Sequence, residues 1–199
     1  MKKVWIFASG AGSNAEKLFA HFKNHKSIKI SGLLCNNPDA GVISKARKEA
    51  IPVFQLSNEA LNEHGKLLAL LRENNVDYVI LAGFLRKIPD EVVKAFPNRI
   101  INIHPALLPK YGGKGMYGMH VHKAVKAAGE KISGITIHLV NEHYDEGRIL
   151  FQESVSLSDS DSAEDIARKV LALEHAHFPS VCEKFILESS LTGNQMAAG

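Results

Sequence analysis

Arg99-Ile100-Ile101-Asn102-Ile103-His104-Pro105-Ala106-Leu107-Leu108-Pro109-Lys110-Tyr111 is the stretch from which the fold can be read. Apolar residues run into a polar Asn and then a His, with an apolar neighbour on each side. Pro105 ends the run, because proline has no N–H to give to a sheet ladder. In extended chain, Asn102 and His104 are two residues apart and leave the same face. An amide and an imidazole therefore stand together at the carboxyl end of a strand, where open α/β sheets place their ligands.

The segments around it alternate strand and helix. Strands are predicted at 3–8, 28–35, 53–55, 77–82, 99–104, 132–140 and 149–155. Helices are predicted at 15–24, about 42–50, 57–74 with Ser57 as cap, 89–96, 120–128, and from Ser162 towards Glu188. Residues 109–118 carry four glycines and no apolar period, and read as a mobile loop. The alternation predicts an α/β fold: a doubly wound, mostly parallel, Rossmann-like sheet with helices on both faces and an antiparallel edge made by the last two strands. At 199 residues, one domain spans 1–199, with about 190–199 as a flexible tail.

Composition removes several function classes. A net charge of +3 without a Lys/Arg-rich run argues against nucleic acid as a partner. Apolar content of 45% is spread over short segments, and none approaches a membrane span. Lys2-Lys3 and the apolar residues after them resemble a signal peptide for only a few residues before glycines interrupt. Cys35 and Cys182 have neither disulfide-framework nor metal spacing, which suits buried thiols in a reducing cytoplasm. His120-x-His122 and His175-x-His177 lie on helices, where residues two apart diverge, so no metal is expected.

Gly10-Ala11-Gly12-Ser13-Asn14-Ala15 joins the first strand to its helix and fits the loose G-x-G-x-x-G/A pattern. A dinucleotide site would also need an acid ending the second strand, and that strand ends in Cys35-Asn36-Asn37. A single phosphate at the helix N-terminus is the better reading. At the Asn102/His104 pair, the amide can donate to an oxyanion and the imidazole can carry a proton. A carboxylate nearby would favour the imidazolium. Asp145 is the candidate, with Glu142 and Glu146 as close competitors.

These residues resemble the formyltransferases that use 10-formyltetrahydrofolate. The resemblance covers residue 4 to about residue 186. It rests on Ser9-Gly10-x-Gly12-Ser13-Asn14, Leu81-Ala82-Gly83-Phe84-Leu85-Arg86, Asn102 through Tyr111, Asp145-x-Gly147-x-Ile149 and Glu174-His175. It implies 10-formyltetrahydrofolate as co-substrate and Asn102, His104 and Asp145 as catalytic residues. It assigns a ribonucleotide to Gly12, Ser13, Asn14 and Glu174. It assigns the folate to Leu85, Arg86, Lys87, Ile88, Asn102, Asn141, Glu142, His143, Tyr144 and Asp145.

Within the family, the Ser13-Asn14 turn points to 5'-phosphoribosylglycinamide as formyl acceptor, in purine (IMP) synthesis. The implied partners are small molecules, bound by a monomer or homodimer. Other folate-dependent formyltransferases or hydrolases are the alternatives, with a non-catalytic phosphate- or nucleotide-binding module as the alternative of another class. Four departures stand out. Glu146 replaces a usual second glycine, and Leu171 stands where a Gln often contacts the ribonucleotide. The loop between Lys110 and His120 is long, and residues 57–66 hold no arginine.

Overall fold

The computed structural model describes the backbone of residues 1–196 and the side chains of residues 1–189. Its strands are β1 (Lys2–Ala8), β2 (Ile28–Cys35), β3 (Val53–Gln55), β4 (Tyr78–Leu81), β5 (Ile100–His104), β6 (Ile132–Leu139) and β7 (Ile149–Ser156). The helices are α1 (Ser13–Phe22), α2 (Val42–Lys48), α3 (Asn58–Asn62), α4 (Lys66–Glu73), α5 (Asp90–Ala95), α6 (Met119–Ala127) and α7 (Ala163–Met196).

One seven-stranded sheet has the order β3-β2-β1-β4-β5-β6-β7. Strands β3 to β5 in that order are parallel, and β6 and β7 close one edge antiparallel, as the short connection between them predicted. The chain winds from β1 outward through β2 to β3, then returns to the other side of β1 with β4. That reversal opens a crevice beyond the carboxyl ends of β1 and β4.

Burial on both faces explains why the parallel strands read as continuous apolar runs. Along β1, Val4, Ile6 and Ala8 face the layer shared with α1, α2, α6 and α7. Trp5 and Phe7 face the layer of α3, α4 and α5. In β5, Ile101 and Ile103 join the first layer and Ile100 the second, which puts Asn102 and His104 on the second side of the sheet.

Three expectations change. The helix predicted at 57–74 is two helices, α3 and α4. Ser57 does cap α3, accepting from Ala60 N at 3.2 Å, but the chain then turns at Gly65, with φ +78°, whose N–H donates to Glu91 Oε1 at 2.6 Å. Helix α7 continues to Met196, so the expected tail is helical through that point, and residues 197–199 lie outside the described residues. The glycine-rich loop is anchored at its start, where Tyr111 O and Gly113 N bond to residues of the cleft described below.

Candidate active site

The carboxyl ends of β1, β2 and β4 are tied together by Ser9. Its Oγ donates to Asn36 Oδ1 at 2.6 Å and accepts from Leu85 N at 3.0 Å. The turn that follows β1 enters α1 through Gly12, which is left-handed at φ +74°. A Cβ there would lie 2.4 Å from Val42 Cγ2, so only glycine lets α2 pack against this turn. Across it, Asn14 Nδ2 donates to Glu174 Oε2 at 2.6 Å, joining α1 to α7. Burial raises the Glu174 pKa above the ordinary carboxylate value, against the lowering by Asn14.

A cleft of about 440 Å³ opens over the end of β5. Of the residues singled out from the sequence, Asn14, Glu174, Leu85, Arg86, Lys87, Ile88, Asn102, His104, Asn141, His143, Tyr144 and Asp145 line it. Gly12 and Ser13 do not. They form the helix entry just behind Asn14. Glu142 does not line it either and is exposed, because the turn between β6 and β7 points that side chain to solvent.

At the floor, His104 is 4% exposed. Its Nε2 donates to the Tyr111 carbonyl at 2.7 Å, and its Nδ1 faces Asp145 Oδ2 at 3.7 Å. That gap exceeds hydrogen-bond length, so the carboxylate acts on the ring by charge and leaves Nδ1 open to a ligand. Burial pushes the His104 pKa down. Asp145 and the Tyr111 carbonyl push it back up by less, and His138 lowers it further. Asp145 favours the imidazolium as expected, but burial outweighs it and the His104 pKa lies below the ordinary histidine value.

Asp145 Oδ2 accepts from Gly113 N at 2.9 Å, and Oδ1 lies 3.5 Å from His138 Nε2. Burial raises its pKa, but His138, His104 and the Gly113 N–H together more than offset this, leaving it below the ordinary aspartate value. Of the three acids in this turn, only Asp145 lines the cleft. It is also the residue with positive φ, at 56°, while Glu146 has none, so the missing second glycine creates no backbone strain at 146. The position that requires glycine is Gly147, where a Cβ would sit 1.7 Å from Leu139 O.

Sequence reading missed His138 and His122. Antiparallel pairing sets His138 opposite Asn102, whose Nδ2 donates to His138 Nε2 at 3.1 Å. His138 Nδ1 donates to Leu139 O at 2.9 Å, which matches that tautomer. His122, 6% exposed, reaches the cleft from α6. The only signals were a histidine in an apolar strand for His138 and the His120-x-His122 pair on a helix for His122. The turn after His104 is held by Thr136, whose Oγ1 donates to Ala106 O at 2.7 Å and accepts from Leu108 N at 3.0 Å. Among the described residues, no group of three or more His, Cys, Asp or Glu is placed to hold a metal ion.

A doubly wound sheet with an amide, an imidazole and a carboxylate in one cleft beyond its central strands defines a Rossmann-like α/β protein. The chain belongs to the formyl transferase family, whose signature matches residues 2–182. It is 43% identical to "Phosphoribosylglycinamide formyltransferase, chloroplastic" of Arabidopsis thaliana, over 93% of this chain and 67% of that protein. It is 36% identical to the phosphoribosylglycinamide formyltransferase of Bacillus subtilis, over 94% of this chain and 95% of that one. The crystal structure of the enzyme of that name from Bacillus halodurans superposes with a TM-score of 0.84 at 33% identity, over 93% of this chain and 95% of that chain.

Proposed function

We propose that this protein is a one-carbon transferase that moves the formyl group of 10-formyltetrahydrofolate to the amine of 5'-phosphoribosylglycinamide, giving formylated product and tetrahydrofolate for purine (IMP) synthesis. The observation that carries the reading is the convergence of Asn102, His104 and Asp145 in a cleft that also holds Asn14 and Glu174. The ribonucleotide's phosphate sits at the N-terminus of α1, over Gly12, Ser13 and Asn14, with Glu174 accepting from its hydroxyls. The folate lies along Leu85, Arg86, Lys87 and Ile88, and against the turn of Asn141 to Asp145.

The amine attacks the formyl carbon, and its carbonyl oxygen becomes an oxyanion. The Asn102 amide stabilises that charge, the proton the amine gives up passes to His104 Nδ1 directly or through water, and the imidazolium so formed beside Asp145 adds its charge. His104 or a water then carries a proton to the departing folate nitrogen. Two buried free thiols, Cys35 and Cys182, suit a reducing cytoplasm. Among the described residues, no helix is long and apolar enough to cross a membrane.

The test is direct. Purified protein is mixed with 10-formyltetrahydrofolate, with and without 5'-phosphoribosylglycinamide, while folate absorbance is followed. Turnover that needs the amine supports transfer. Turnover without it makes the protein a hydrolase, and none in either case leaves a binding module.

A further inference from the structure

His122 is a buried imidazole in the cleft to which the chemistry above gives no role. Its Nδ1 has no hydrogen-bond partner and is sealed from solvent. With Nδ1 sealed, Nε2 is the nitrogen the ring can turn to the cleft. A buried unpaired N–H is rarer than an under-satisfied acceptor, so the proton belongs on Nε2 and the lone pair on Nδ1.

Two features keep the ring neutral. A second proton on Nδ1 would have no acceptor, and burial together with neighbouring His104 disfavours a cation there. Its place on α6 decides which substrate it meets. Helix α6 packs against α7, which brings Val170 and Glu174 to the cleft, and Glu174 is bonded to Asn14. His122 therefore lies on the α7 side of the cleft, which the reading above gives to the ribonucleotide.

We infer that His122 is a substrate-binding residue, an Nε2–H donor to a carbonyl or hydroxyl oxygen of the ribonucleotide amine. The inference rests on the formyl-transfer reading above and adds a residue to it. Such a group holds the amine beside His104 and takes no part in proton transfer.

The test compares His122→Phe, which removes the donor, with His122→Gln, which keeps one. Losing one neutral hydrogen bond raises KM for the ribonucleotide about tenfold in the Phe variant. Its folate KM and kcat stay within about twofold. His122→Gln recovers most of the difference, and the pH profile of kcat/KM keeps its limbs. An unchanged ribonucleotide KM overturns the inference, as does a Gln variant no better than Phe, which would mean packing. A displaced pH limb also overturns it, since that would mean acid–base work.

Wild-type protein is the control. If it fails to turn over the ribonucleotide, the transfer reading falls and this inference with it. Wild-type turnover with a flat variant KM removes this inference alone. Should His122→Phe not fold, ¹⁵N-histidine spectra of the wild type decide. A ring fixed as Nε2–H from about pH 6 to 8 supports the inference, and a titrating or Nδ1–H ring overturns it.

Discussion

Asn102 and His138 stand directly opposite each other across β5 and β6, with Asn102 Nδ2 3.1 Å from His138 Nε2. The pair fixes which way the Asn102 amide points before any ligand arrives. His138→Leu would leave that amide unpaired and free to turn. We expect kcat to fall about tenfold with little change in either KM, as loss of orientation predicts. Steady-state kinetics with each substrate varied separately would show it, and a rise in KM alone would point to lost ground-state binding instead.

Asp145→Asn removes the charge that faces both His104 and His138. Because Asp145 raises the His104 pKa against burial, the His104 pKa should drop further below the ordinary histidine value in this variant. Fewer rings then carry a proton at any given pH, and transfer should slow by about 10²–10³. Proton NMR titration of His104 and single-turnover rates check the two halves independently. An unmoved titration would sink the electrostatic account even if the rate fell.

Glu174 sets stability against binding. Burial holds its pKa above the unfolded value, so the folded state retains a proton that the unfolded state has released. The sign follows: this group's contribution is most favourable at low pH and is lost as pH rises from the unfolded value through the raised folded one. Glu174→Gln should melt higher than wild type at neutral pH, with the gap closing on acidification. The same variant should bind the ribonucleotide more weakly. Calorimetry across pH and the KM for that substrate test both statements.

Gly147→Ala places a methyl group 1.7 Å from the Leu139 carbonyl, so the turn between β6 and β7 must move. We expect a loss of about 2–3 kcal/mol, typical of overpacking against fixed backbone. For a chain of this size that lowers Tm by about 4–12 °C. Activity should fall further than stability alone explains, because the same turn carries Asp145. An Ala variant with wild-type Tm would show that the turn is looser than its geometry implies.

Much of the fold was legible because period and punctuation agree. Residues 28–35 and 53–55 read as strands and fold as β2 and β3, bounded by Asn, Pro and Ser signals. Ser162, where the last helix was expected to begin, forms a reciprocal cap with Asp165, with Asp165 N to Ser162 Oγ at 3.1 Å and Ser162 N to Asp165 Oδ2 at 2.9 Å. The break between α3 and α4 was missed because the leucine spacing continues through it. Gly65 and its contact with Glu91, a residue of α5, decide the break, and a local pattern carries no trace of that partner.

By itself the sequence determined the α/β winding, the shared face of Asn102 and His104, and the glycine-rich entry to α1, since each depends on spacing within a few residues. Only tertiary structure decided which acid meets His104, and that His138 and His122 belong to the cleft. The reason is physical. Strand periodicity places a side chain on a face, but β5–β6 register chooses its neighbour, and helix packing chooses which inward histidine reaches the ligand. The direction of the His104 pKa was decided the same way. Spacing brings a carboxylate near, and burial, a property of the whole fold, outweighs it.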